Sequence, residues 1–176
     1  MSFSELAKIR ESCRSYSDKK VSHELLLQIL SDALLAPSAC NSQPWKLIAC
    51  EDDTAENLKQ FIGDGGTANA FAKKAPAFVV VCETPAVLRP GVMAESQQFA
   101  QMDVGEATAY LTLAAADRGL STCIMGIFME DGIKKLLNIP DSAVVRLVLA
   151  VGYASEAGSR PKTRKPFDEV ASFNRW

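Results

Sequence analysis

Apolar positions along this chain recur at two periods, helical and alternating, and the switches between them mark out its elements. Ser2 and Glu5 stand at capping-box spacing, which predicts a short helix over residues 3–11. Ser22 is a good N-cap for a second helix that must end by Pro37. Its leucines and isoleucine, in LLLQILSDALLA, occupy more than one face, the pattern of a largely buried helix. KLIAC after Trp45 predicts a strand, TAENLKQFIGDGG a helix stopped by glycine, and AFVVVC (77–82) a central strand rich in β-branched residues. One long helical pattern runs from Glu95 to Arg118 and stops at Gly119. Its small residues, GEATAYLTLAAA, let neighbouring elements approach closely. STCIMGIF reads as a strand, DGIKKLLN as a short helix, and AVVRLVLAVGYA as the strongest strand of all. The closing stretch, EAGSRPKTRKPFDEVASFNRW, has too few core residues to fold alone and is expected along a surface, its own or a partner's. With no repeat or linker in this order, the prediction is one domain over residues 1–176: α+β, a mixed sheet flanked by helices.

Composition narrows the function classes. The chain has 176 residues, 48% hydrophobic and 23% charged, which suits one ordinary globular core. A net charge of -2 argues against nucleic acid as a partner, since that needs a basic face. No apolar run approaches the roughly 18–20 residues that span a membrane, and MSFSELAKIRESCRSY lacks the apolar core of a secretory signal. Cysteines 13, 40, 50, 82 and 123 are odd in number and form no CxxC pair, so a reducing cytoplasm is expected rather than a disulfide framework.

Candidate chemistry is sparse. The single histidine, His23, falls in the first turn of a predicted helix, where it reads as a polar surface residue, and no metal site is expected. GDGGTAN lacks the spacing of a dinucleotide fingerprint. Two basic clusters stand out: Arg10 and Arg14 around Ser12 in RESCR, and Arg160, Lys162, Arg164 and Lys165 in RPKTRK. Each alone reads as a solvated surface. Together they suggest more, because Arg10 and Arg14 would share a helix face and Lys162 and Arg164 one side of an extended strand. Two such pairs closing on one point suit a phosphate. The loop LAPSACNSQPW (35–45) concentrates uncharged hydrogen-bonding groups, and either caps a helix or holds a polar ligand.

Taken in order, IRESCRSY, LLAPSACNSQPWKLIAC, Asn69 before APAFVVV, MDVGEATAYLTLAAADRGLSTCIMGIF and GYASEAGSRPKTRKPFDEV resemble the FMN-dependent nitroreductase family over almost the whole chain. The resemblance implies a nitroreductase-like α+β fold with a mostly antiparallel sheet. It further implies a homodimer holding FMN at the subunit interface, with a C-terminal extension wrapping the partner. Carried over residue by residue, it places Arg10, Glu11, Ser12 and Arg14 in the first cofactor segment. Lys162 and Arg164 fall in the terminal phosphate clamp, and Pro37, Ser38, Ala39 and Asn41 in the loop reaching the partner's flavin. Asn69 falls at the flavin pyrimidine, and Met125 and Gly126 near flavin N5. Arg14 and Gly126 would carry the catalytic roles, a cation by the pyrimidine edge and a backbone N–H at N5. Two positions depart from the family pattern: Met125 stands where many members have glutamate, and Ala72, beside Lys73, where some have lysine.

The implied activity is hydride transfer from NADH or NADPH through FMN to a nitroaromatic, quinone or related conjugated acceptor, in a ping-pong cycle. The alternatives are a dehalogenase-like member of the superfamily, a flavin-binding storage or sensing module, and a dimer whose basic clusters are mere surface. Cys13 and Cys40 read as small fillers or as redox-sensitive thiols, and Met125 as a substrate-face or a packing residue.

Overall fold

The computed structural model describes residues 1–91, 96–156, 158 and 160–176. Its helices are α1 (Phe3–Ile9), α2 (His23–Ala33), α3 (Asp52–Leu58), α4 (Ser96–Asp117), α5 (Glu130–Leu137) and α6 (Phe167–Val170). The strands β1 (Trp45–Cys50), β2 (Ala77–Glu83), β3 (Ser121–Met125) and β4 (Val144–Gly152) form one sheet in the order β1-β2-β4-β3, each neighbouring pair antiparallel. Among the described residues, the parallel part of the expected mixed sheet is confined to a single bridge, Ser12 to Thr122.

Both faces of the sheet are covered, and alternation along the strands divides the core in two. Phe78, Val80 and Cys82 of β2, with Val148 and Ala150 of β4, face α3 and α5 through Ala55, Leu58 and Ile133. Val79 and Val81, with Leu149 and Val151, face α2 and α4 through Leu26, Ile29, Ala107, Leu111 and Ala115. Every residue of β2 is buried, as its continuous apolar run required. The irregularity between Val81 and Cys82 moves the register by one, so Cys82 meets Val145.

The predicted caps are present. Ser2 Oγ accepts from Glu5 N while Ser2 N donates to Glu5 Oε2, and Ser22 Oγ accepts from Leu25 N. Gly119 adopts φ +73° at the stop after α4; the expected start at Glu95 lies outside the described residues. Three expectations change. Helix α1 ends at Ile9 rather than 11, and β3 ends at Met125 rather than running on to 128. Helix α2 buries only Leu26, Ile29 and Ala33, leaving Leu27 and, just beyond its end, Leu34 and Leu35 exposed. The closing segment is exposed from Thr163 to Trp176, including Phe167, Val170 and Phe173.

Candidate functional site

The two basic segments meet because the chain leaves α1 early. Arg10 takes φ -60° and ψ 123°, and the residues after it run along the outer edge of β3. Cys13 N donates to the Thr122 carbonyl at 2.8 Å. Arg10, Ser12 and Arg14 therefore share a side through the two-residue alternation of extended chain, not through a helix face. Tyr16 anchors the segment: its Oη donates to the carbonyl of Cys13 at 3.1 Å and reaches that of Ala150 at 3.3 Å. Burial pushes this phenol's pKa up, so it stays a donor at any ordinary pH.

The tail returns beside this segment. Ser17 N donates to Tyr153 O at 2.9 Å, Ser155 N to Ser15 O at 3.0 Å, and the Ser15 and Ser155 hydroxyls lie 2.7 Å apart. The result is an open cleft of about 300 Å³ in which Arg10, Arg14, Arg160, Lys162 and Arg164 surround one carboxylate, Glu11. Such an excess of positive charge favours an anion, and guanidinium forks match a phosphate. Lys162 Nζ donates to the carbonyls of Ala7 (3.2 Å) and Lys8, at the negative end of α1. Desolvation and the charges of Arg10 and Arg164 hold its pKa below the usual lysine range.

Glu11, expected to bind cofactor, instead spends its carboxylate on the tail: Oε2 accepts from Arg160 N at 2.9 Å and lies 3.5 Å from Arg160 Nε. A carboxylate in this position opposes an anion rather than binding it.

A second group lies beyond Arg14, whose guanidinium carbon sits 6.0 Å from the centre of the Phe71 ring. Asn69, left-handed at φ +59°, opens the same turn and donates from Nδ2 to the Ile127 carbonyl at 3.0 Å. That carbonyl also accepts from Gly63 N at 3.0 Å. Two donors on one oxygen pin the loop that presents Gly126, which is exposed. A Cβ built there meets nothing within 4 Å, so the chain itself does not demand glycine. Of the two readings for Met125, the packing one matches its position: the residue is 2% exposed and its side chain belongs to the core facing α3 and α5.

Pro37, Ser38, Ala39 and Asn41 are not brought to this cleft; among the described residues no hydrogen bond or ion pair joins them to it. Part of the loop's polarity serves the loop itself. Ser38 Oγ accepts from Gln43 N (2.9 Å), Ser42 Oγ from Val87 N (2.8 Å), and both oxygens of buried Asp103 on α4 accept from Ala39 N (3.2 Å). Cys40, Asn41 and Gln43 are all left-handed, with φ of 53°, 55° and 47°, and exposed. Cys40 is therefore no core filler, whereas Cys13 is buried. Burial pushes the Cys50 thiol up to about 12 and the Cys82 thiol up to about 11, which makes both inert packing groups. His23 is a surface residue whose Nδ1 lies 2.7 Å from Glu51.

Sequence reasoning missed Phe71, Gly63 and Asp103. Asp103 shares its helix with Gln97, Gln101 and Glu106, so nothing in the local pattern singled it out.

A twisted antiparallel sheet covered by helices on both faces, with a cationic cleft along one edge, defines an α+β protein whose N- and C-terminal segments build one site. The chain belongs to the nitroreductase family, whose members it matches over residues 7–153. It is 33% identical over 165 residues to a protein of Archaeoglobus fulgidus named "Putative NADH dehydrogenase/NAD(P)H nitroreductase", covering 92% of this chain and 86% of the other. A nitroreductase family protein of Clostridium difficile 630 superposes with a TM-score of 0.84 at 30% identity, covering all of both chains. A structure described as an oxidoreductase containing FMN gives a TM-score of 0.84 at 25% identity, over 99% of this chain and 93% of that one.

Proposed function

We propose that this chain is a single-domain, FMN-dependent oxidoreductase. It passes electrons from NADH or NADPH to a small nitroaromatic, quinone or related conjugated acceptor, as a cytoplasmic homodimer. The observation that carries this reading is the cleft in which five cations, Arg10, Arg14, Arg160, Lys162 and Arg164, face a single carboxylate. That imbalance suits the phosphate of a mononucleotide, and a structure 25% identical to this chain is described as containing FMN. FMN, when bound, supplies the two-electron chemistry.

The protein's own residues bind and orient. Arg10, Ser12, Lys162 and Arg164 hold the phosphate. Arg14, placed between the cleft and Phe71, keeps a positive charge at the edge of the ring system and favours its reduced, anionic form. With its Nδ2 committed to the Ile127 carbonyl, Asn69 keeps its amide oxygen for the ligand. Gly126 leaves its backbone open to close approach by a planar ligand, which accounts for glycine where the chain itself does not need it.

The dimer follows from what one subunit leaves bare. The loop at 37–43 does not reach its own cleft, and in this reading Pro37, Ser38, Ala39 and Asn41 meet the flavin of the partner. Leu27, Leu34, Leu35, Met102 and Tyr110 are exposed on α2, α4 and the turn after α2. An exposed tail bearing Phe167, Val170, Phe173 and Trp176 has apolar surface that a partner would cover. Free cysteines suit a reducing compartment.

The test is steady-state oxidation of NADH and NADPH by FMN-loaded protein, with a quinone and then a nitroaromatic as acceptor. Turnover with either supports the reading; flavin binding without turnover would replace it with a storage or sensing module.

A further inference from the structure

We infer that Glu11 and Arg160 are positioning residues: a clasp that locks the C-terminal segment against the N-terminal one and so pre-forms the phosphate cleft before any ligand arrives. The inference rests on the FMN reading for its ligand, but on geometry for the clasp. Arg160 makes three bonds to the other segment. Its backbone N donates to Glu11 Oε2 (2.9 Å), its Nη2 donates to the Ser12 carbonyl (2.7 Å), and its Nε lies 3.5 Å from Glu11 Oε2. Both residues line two adjoining clefts, one with Lys162 and Arg164 and the other with Ala154, Ser155, Glu156 and Gly158, so the clasp lies where the two meet. Lys162 and Arg164 follow Arg160 by two and four residues, so fixing Arg160 sets where the segment that carries both of them runs. The Glu11 side chain is only 22% exposed while that of Arg160 is 62% exposed, so the acid is the sheltered, ordered half of the pair.

The clasp makes a prediction opposite in sign to simple electrostatics. If Glu11 acted only through its charge, removing a carboxylate from beside a phosphate would tighten FMN binding. As a clasp, its loss frees the tail and the cleft must be ordered at the moment of binding, which weakens it. Either single substitution removes one hydrogen bond to a backbone group and the partly exposed ion pair, which is expected to weaken FMN by about tenfold.

The experiment measures FMN affinity of the apoprotein by flavin fluorescence, and amide exchange of residues 153–164 in the same apoprotein. The variants are Glu11→Ala, Arg160→Met and the conservative Glu11→Gln, whose amide oxygen can still accept from Arg160 N but whose charge is gone. The clasp predicts weaker FMN binding and faster tail exchange in Glu11→Ala and Arg160→Met, with substantial recovery of both in Glu11→Gln. Tighter FMN binding by Glu11→Ala, or unchanged tail exchange in Glu11→Ala and Arg160→Met, would overturn it. Wild-type protein that takes up no FMN would overturn the cofactor reading instead, and the exchange arm then decides the clasp by itself.

Discussion

Replacing Lys162 and Arg164 together by alanine removes two of the five cations that surround the cleft and leaves Arg10, Arg14 and Arg160 facing Glu11. Charge-assisted hydrogen bonds contribute about 1.5–3 kcal/mol each. The pair should then account for about 3–6 kcal/mol of FMN binding, or about two to four decades in Kd at 1.4 kcal/mol per decade. The lower end applies here, because Arg164 is exposed and Lys162 only half-buried. The substitution also removes the Lys162 bonds to the Ala7 and Lys8 carbonyls. Titration of apoprotein with FMN, followed by flavin fluorescence, should show about a hundredfold weaker binding and a shallower dependence on salt. The apoprotein's thermal midpoint should change little, since both side chains lie outside the core. A Kd within about threefold of wild type would refute the phosphate assignment; an equal loss of affinity and of stability would refute the claim that these residues act on the ligand.

Two further predictions concern stability. Glu83 is 1% exposed and is held by Arg146 and Gln97. Burial pushes its pKa up, but the hydrogen bonds from Arg146 and Gln97 and the charge of Arg146 outweigh that, so it lies below the usual carboxylate range. In the wild type its contribution is present above the unfolded pKa and lost as pH falls through the lower folded one. Arg146→Met strands the carboxylate at a cost of about 3 kcal/mol near neutrality. That deficit should shrink in denaturant melts as pH falls toward about 4, because a protonated Glu83 no longer needs its partner; a deficit independent of pH would contradict the pairing. Gly63→Ala meets both a φ of +92° and a Cβ placed 2.4 Å from the Ala68 carbonyl oxygen. It should lower the thermal midpoint by on the order of 10 °C, and an unchanged midpoint would refute the close packing beneath Asn69 and Gly126.

The core was legible because its signals are local. The continuous apolar run AFVVVC, the Ser2 and Ser22 caps and the Gly119 stop depend on residues within a few positions of one another. The site was legible as composition, two basic clusters and a polar loop, but not as geometry. Nothing near Arg10 breaks a helix. Helix α1 ends there because Ser12 pairs with Thr122 and Lys162 caps the carbonyls of Ala7 and Lys8, contacts more than 100 residues away in sequence. The partner of Glu11 was hidden for the same reason, since Arg160 lies 149 residues on. Met125 looked adjacent to the chemistry through Gly126, yet alternation in β3 turns it into the core beside Cys123. The exposed leucines of α2 show the remaining gap, because helical periodicity reports apolar faces without saying which chain covers them.

The central claim is that the cleft holds a flavin that a nicotinamide nucleotide reduces. A visible absorption spectrum of the purified protein, reconstituted with FMN and then treated anaerobically with NADH and with NADPH, tests it most directly. Oxidised flavin bands that bleach with at least one of the two nucleotides are expected; protein that retains no flavin after reconstitution, or flavin that neither nucleotide bleaches, would contradict a flavin reductase.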